Sequence, residues 1–345
     1  MKYAQLGTTG VFVSRLSLGA MSFGGRGSQI WEMVGALEAK EADQLVGAAL
    51  DRGVNLIDTA DMYGDGASEE ILGEVLGSRR RDVLLATKMT ARVGPGPNDV
   101  GQSRLHVMRS LEDSLRRLRT DHIDLYQIHA FDPITPFEES LAALDDAVRQ
   151  GKIRYIGASN LTAWQTMKAL GVSERRGWAR FCSLQAHYSL TARDIEREII
   201  PMAGDQGLAL LVWGPLAAGL LTGKFDRTGA RDENARRAKY DFPPVDLERA
   251  HDVIDVLRRV ATRHEATVAG VALAWLLTRP GVTSAVIGAK RPEQLEENLA
   301  ATGLELTERD LAELDQASAL PVEYPAWMQA DESYRFPPGF RSEAG

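Results

Sequence analysis

The chain has 345 residues, a formal charge of −8, 44% hydrophobic and 26% charged residues, so it reads as a globular protein able to bury a large core. The acidic balance argues against a nucleic-acid-binding surface, and the basic run Arg79, Arg80, Arg81 reads as the solvated end of a helix. One cysteine, Cys182, excludes a disulfide within the chain and fits a reducing, cytoplasmic compartment; its apolar neighbours make it an inert core thiol.

Residues 2–14 predict a hairpin around the turn Gly7-Thr8-Thr9-Gly10, with no apolar signal-peptide core. One unit then repeats: a short apolar run, a loop, and a helix of 3.6-residue period. Strands are predicted at 16–20, 54–57, 83–87, 123–128, 153–158, 181–185, 209–213 and 284–287. Helices are predicted at about 40–52, 68–78, 101–118, 137–149, 162–170, 194–206, 246–264 and 292–301, with extra helices near 267–278 and 307–316. Ser68, Thr162 and Thr307 read as helix starts, and Gly151 as the residue just past a helix end. The strand runs are nearly continuous in apolar character, which suits parallel strands covered on both sides. The resulting expectation is a (β/α)8 TIM barrel spanning 1–345 as a single domain, with a doubly wound sheet as the alternative. The most apolar stretch, 208–221, is too short to cross a bilayer and is broken by Gly214 and Pro215, so no membrane partner is expected. Residues 24–38, 214–245 and 321–345 fall outside the repeat. The last of these carries Tyr324, Trp327, Tyr334, Phe336 and Phe340, a set that suits docking onto the barrel rim or a purely structural cover.

In a barrel, chemistry sits at the C-terminal ends of the strands. There the sequence offers Asp58, Lys88 and His129 on three successive strand ends, with Tyr63 five residues beyond Asp58. Ser159 and Asn160, Gln185, and Trp213 end the next strands, and Gly288, Ala289 and Lys290 follow the last. A tyrosine is a poor acid at neutral pH; a lysine cation beside it favours the phenolate, and a carboxylate keeps that lysine charged in a dry site. A nearby histidine can orient a substrate oxygen. The set suits protonation of a carbonyl oxygen as charge develops on it. Taken singly, Tyr63 is equally well a packing residue and Asp58 a helix cap. His106, His122 and His129 lack ligand spacing, so no metal is expected. His122 reads as a loop residue and Asp132 as a turn residue, while His187 either faces the cleft or does not.

No G-x-G-x-x-G follows any strand, and residues 219–224 (GLLTGK) fall short of a phosphate loop. A better ligand segment is GAKRPEQLEEN. Gly288 allows close backbone approach, and Lys290 and Arg291 stand before a helix N-terminus, where anions are favoured.

The ordered set NLIDTADMYG, LLATKM, LYQIH, KIRYIGASN, PLAAGLLTGK and GAKRPEQLEEN resembles the aldo-keto reductase superfamily over nearly the whole chain to about residue 320. It is most similar to the bacterial branch related to potassium-channel β-subunits. The resemblance implies a barrel closed at its base by the hairpin, with NADPH/NADP+ extended across the mouth. It implies Tyr63 as general acid/base, Lys88 lowering its pKa, Asp58 pairing with Lys88, and His129 orienting the carbonyl. Nicotinamide contacts fall on Ser159, Asn160, Gln185 and Trp213, and further cofactor contacts on Gly214, Pro215, Leu216 and Lys224. The adenosine end falls on Gly288, Lys290, Gln294, Glu297 and Asn298, and Arg291 joins Lys290 as a candidate for a 2′-phosphate. Trp213 stands where many members have Tyr, and Gly214 where many have Ser, so a hydroxyl contact is lost there. The expected activity is reversible, NADPH-dependent reduction of a small-molecule aldehyde or ketone to an alcohol. The alternatives are a cofactor-sensing regulatory subunit with little turnover and an isomerase built on the same acid–base groups. Trp31, Met62, Phe131, His187 and Trp327 are candidates for the substrate pocket.

Overall fold

The computed structural model describes residues 1–227, 229–230, 237 and 241–329. A hairpin of β1 (Tyr3–Gln5) and β2 (Phe12–Ser14) precedes β3 (Leu16–Gly19). The barrel continues through β4 (Leu56–Asp58), β5 (Leu84–Met89), β6 (Ile123–Ile128), β7 (Ile153–Ser159), β8 (Phe181–His187) and β9 (Ala209–Trp213). β10 (Phe225–Asp226) and β11 (Gly229–Ala230) form a small antiparallel pair in the loop after β9, and β12 (Val282–Ile287) is the last strand. The parallel order β12-β3-β4-β5-β6-β7-β8-β9 closes on itself, as expected of a (β/α)8 barrel.

The helices are α1 (Gln29–Val34), α2 (Ala39–Asp51), α3 (Ala67–Leu76), α4 (Arg104–Arg117), α5 (Phe137–Arg149) and α6 (Ala163–Arg176). They continue with α7 (Ile199–Asp205), α8 (Leu247–Arg263), α9 (Val268–Thr278), α10 (Pro292–Ala300), α11 (Glu308–Ser318) and α12 (Ala326–Gln329). Thr162 and Thr307 start α6 and α11 with capping boxes that use Gln165 and Asp310. Gly151 follows α5 at φ 75°, a left-handed residue that glycine adopts without cost.

Three expectations are corrected. Ser68 does not cap α3: Gly66 does, at φ 96°, while Ser68 lies buried inside the first turn. There its hydroxyl donates to the Ala20 carbonyl at 2.8 Å and pairs with Thr59 Oγ1. The helix expected over 194–206 splits into a 3-10 turn, Asp194–Glu196, and α7, because the Pro201 ring would strike the carbonyl four residues earlier. The basic run is not all solvated. Arg80 bridges Asp124 at 2.9 Å and donates to the Val83 and His122 carbonyls, tying the loop after α3 to β6.

Side-chain alternation explains how continuous apolar strands serve two cores. One set (Leu56, Ala86, Leu125, Ala209 and Leu211, joined by Cys182 where the register of β8 shifts) packs with Leu6 and Val13 of the hairpin, which plugs the barrel base. The opposite set, including Ile57, Leu85, Tyr126, Ile156 and Leu184, packs against the helices. At the other end the inward positions turn polar, and a Cβ on Gly157 would come within 2.5 Å of Ser183 Oγ and 3.1 Å of Gln127 Cγ, so glycine there makes room for them. Cys182 is buried, and burial pushes its thiol up to about 12, so it stays protonated.

Candidate active site

The site begins at the inward end of β4. Asp58 is 3% exposed and Lys88, on neighbouring β5, is 0% exposed. Lys88 Nζ donates to Asp58 Oδ2 at 2.6 Å and to the Thr59 carbonyl at 2.8 Å. The other Asp58 oxygen accepts from Gln185 Nε2 at 2.9 Å and Gln127 Nε2 at 3.3 Å. Burial disfavours the Lys88 cation, but Asp58 and Tyr63 outweigh it, and its pKa is raised. Lys88 Nζ lies 5.1 Å from the centre of the Tyr63 ring.

The loop after β4 is laced to β5: Thr59 N–H donates to the Ala86 carbonyl and Asp61 N–H to the Lys88 carbonyl. This extension of the ladder aims Tyr63 back over Lys88. His129 follows β6 and meets Tyr63 edge-on, with ring centres 5.8 Å apart. Burial and then the Lys88 charge bring its pKa down to about 3, so the imidazole is neutral at physiological pH and its Nδ1 makes no hydrogen bond. Asn160, held at φ 55°, donates to the His129 carbonyl at 2.9 Å and accepts from Trp213 Nε1 at 3.0 Å. Trp213 lies between His187 (4.4 Å, 20°) and Phe242 (5.9 Å, 6°).

These groups open onto a mouth cavity of about 1050 Å³. Of the sequence-derived residues it gathers Asp58, Tyr63, His129, Ser159, Asn160, Gln185, Trp213, Gly214, Pro215, Leu216, Lys224, Gly288, Lys290, Arg291 and Gln294. Lys88 lies beneath the cavity, bonded to Asp58. Glu297 and Asn298 lie on α10 outside the lining; Glu297 is exposed, and Asn298 is buried with its Nδ2 unpartnered. Of the pocket candidates, Trp31 and Met62 line the cavity. The other three are outside its lining: Phe131 packs on Phe137 and Trp164, His187 stacks on Trp213, and Trp327 is 57% exposed. Tyr324 is 73% exposed beside Trp327, while Tyr334, Phe336 and Phe340 lie outside the described residues. Asp132 is a turn residue that accepts from Gln102 N, Ile134 N and Thr135 Oγ1.

Sequence reading missed Gln127, Arg92, Ile30 and Phe242. Gln127 had a usable signal: it stands two residues before His129 in a strand, hence on the same inward face. Arg92 and Phe242 arrive from loops with no local pattern. Among the described residues no cluster of His, Cys, Asp and Glu could hold a metal ion, and no helix is long and apolar enough to cross a membrane.

The aldo/keto reductase family model matches residues 15–319. The chain is 38% identical to the uncharacterized oxidoreductase YrpG of Bacillus subtilis, over 91% of this chain and 95% of that one. It is 36% identical to a probable voltage-gated potassium channel subunit beta of Arabidopsis thaliana, over 87% and 91% of the two chains. It is 34% identical to the versiconal hemiacetal acetate reductase of Aspergillus parasiticus, over 92% and 96%. The match over most of the chain, with a closed barrel bearing polar groups at one end, makes this chain a member of the aldo/keto reductase family, whose chemistry is oxidoreduction at carbonyl groups.

Proposed function

We propose that the protein is a cytoplasmic NADPH-dependent carbonyl reductase in which Tyr63 delivers the proton, with alcohol oxidation as the reverse. The observation that carries this reading is the buried Asp58–Lys88 pair set 5.1 Å from the Tyr63 ring at the floor of the mouth cavity. A nicotinamide cofactor, when bound, supplies the hydride. The donor set fits such a group. Cationic Lys290 and Arg291 line the cavity just before α10, and Ser159, Asn160, Gln185 and Trp213 line it from the ends of β7, β8 and β9. Lys290 and Arg291 favour a 2′-phosphate, hence NADP over NAD. Gly214, Pro215, Leu216 and Lys224 also line the cavity, and Gly288 and Gln294 line it beside Lys290; these two would hold the adenosine, with Glu297 and Asn298 reaching it from α10 outside the lining.

The residues divide the work. Asp58 keeps Lys88 charged, and the Lys88 cation stabilises negative charge on the Tyr63 oxygen, so that Tyr63 releases its proton to the carbonyl oxygen as charge builds there. Neutral His129 offers an N–H to the same oxygen and orients the carbonyl. Trp31, edge-on to Tyr63 at 5.9 Å, and Met62 shape the substrate wall. The relative named a probable potassium channel subunit lends weak support to a second reading, a cofactor-sensing subunit with little turnover. The complete acid–base set argues for turnover.

NADPH absorbance decay with an activated aromatic aldehyde, run beside Tyr63→Phe, tests this. The variant is expected to lose about 10²–10⁴-fold in kcat while retaining cofactor affinity. Binding of NADPH without turnover in the unmodified protein would support the sensing reading, and equal Kd for NADPH and NADH would remove the 2′-phosphate assignment.

A further inference from the structure

Behind the tetrad lies a second polar cluster that the proposed reaction does not use. Asp61 is 2% exposed, and no side chain hydrogen-bonds its carboxylate, which has only a weak contact from the neighbouring Met62 N–H. Its N–H donates to the Lys88 carbonyl at 3.0 Å, which fastens it to the strand carrying the lysine, two positions before Tyr63. Tyr126, fully buried on β6 in the core between barrel and helices, also has a hydroxyl without a partner. The groups facing Asp61 come from each neighbouring element: Glu69 from α3, Arg117 from α4, Lys88 from β5 and the Tyr126 phenol from β6. Both cations are committed elsewhere. Arg117 pairs with Glu69 at 2.7 Å, whose other oxygen accepts from Thr87 Oγ1 at 2.6 Å, and Lys88 pairs with Asp58. A carboxylate buried with no cation or side-chain donor of its own is costly, and retaining its proton removes the cost. Burial first, then Glu69, push Asp61 up to about 8, against the weaker pull of Arg117, the Met62 N–H and Lys88.

We propose that Asp61 is a positioning residue: its backbone holds the Tyr63 loop on the lysine strand, and its carboxyl, buried without a cation of its own, adds a negative charge behind Lys88 when it loses its proton. This role rests on the carbonyl-reduction reading. The added charge opposes the Tyr63 phenolate and delays loss of the proton that reduction requires. Asp61→Asn keeps the shape and stays neutral at every pH. For the variant, kcat/KM for aldehyde reduction, normalised to pH 6, is expected to fall away at a pH lower by about half a unit or more. Asp61→Ser, smaller and also neutral, separates a misfitting amide from a missing charge: both variants shift the limb the same way. Profiles that superimpose on the wild type overturn the proposal.

Thermal unfolding supplies an arm that needs no turnover. An acid whose folded pKa is raised from 3.8 to about 8 favours the folded state only while protonated. That contribution is complete below the unfolded value and lost as pH rises toward the folded one. The Tm of Asp61→Asn relative to wild type should therefore climb between pH 5 and pH 8. A constant difference in an active pair of enzymes sinks the proposal alone. A climbing difference with no turnover in either protein sinks the carbonyl-reduction reading, and with it the role of Asp61 toward Tyr63.

Discussion

Replacing Asp58 by Asn removes one charge and preserves the shape of the site. The native carboxylate accepts from Lys88, Gln185 and Gln127. Asparagine has a single acceptor oxygen. Turned to Lys88, it leaves its own amide facing two glutamine amide donors; turned to them, it sets an NH₂ against the ammonium. Either way the fully buried Lys88 loses its counter-charge, and breaking a buried pair from one side costs about 3–5 kcal/mol. For 345 residues the unfolding entropy is about 0.7 kcal/mol/K, so Tm falls by about 4–7 °C. Differential scanning calorimetry at pH 7 reads the loss. The double replacement Asp58→Asn/Lys88→Met, which removes both charges, recovers most of it. The Lys88 pKa is raised above its unfolded value of 10.5, so its stabilisation is complete below that value and is lost only as pH rises through the folded one. In Asp58→Asn, burial without that counter-charge pulls the Lys88 pKa below its unfolded value, and loss of the proton relieves part of the cost, so the deficit should be smaller at pH 9 than at pH 6. A Tm within about 1 °C of wild type would refute the view that the pair is a desolvated unit.

Two further perturbations test the frame around the site. Gly73→Ala places a Cβ 2.3 Å from the Arg117 carbonyl oxygen and 2.7 Å from the Leu118 carbonyl carbon, backbone atoms that cannot swing aside. It should destabilise by about 1–3 kcal/mol in urea denaturation, with an unshifted midpoint counting against the close approach of α3 to the end of α4. Asp310 is buried, which raises its pKa, but hydrogen bonds from Thr307, His264 and Arg263 outweigh burial and depress it. Its contribution is present above the unfolded value of 3.8 and lost as pH falls through the folded one, so wild-type Tm should drop below pH 4 more steeply than that of Asp310→Asn. Parallel acid profiles would contradict this.

The sequence by itself determined the repeating strand–helix order, the capping of α6 and α11, and which end of each strand turns polar. These are local properties, written in residue periodicity and in pairs such as Thr162 with Gln165 and Thr307 with Asp310. Asp58, Lys88 and His129 could be proposed from the sequence because each stands at a strand end, and Tyr63 because it lies in the loop just beyond one; a barrel brings such positions together. Only the tertiary structure decided what meets them. Gln127 and Gln185 come from β6 and β8 to share one oxygen of Asp58, and Gly157 on β7 makes the room. Tertiary packing also drew Phe242 onto Trp213, buried Ser68 inside α3, engaged Arg80 beneath the surface, and left Asp61 in the outer layer without a cation of its own. Each of these depends on contacts between residues far apart in the chain, and on burial that changes the cost of a charge. A one-dimensional pattern carries neither.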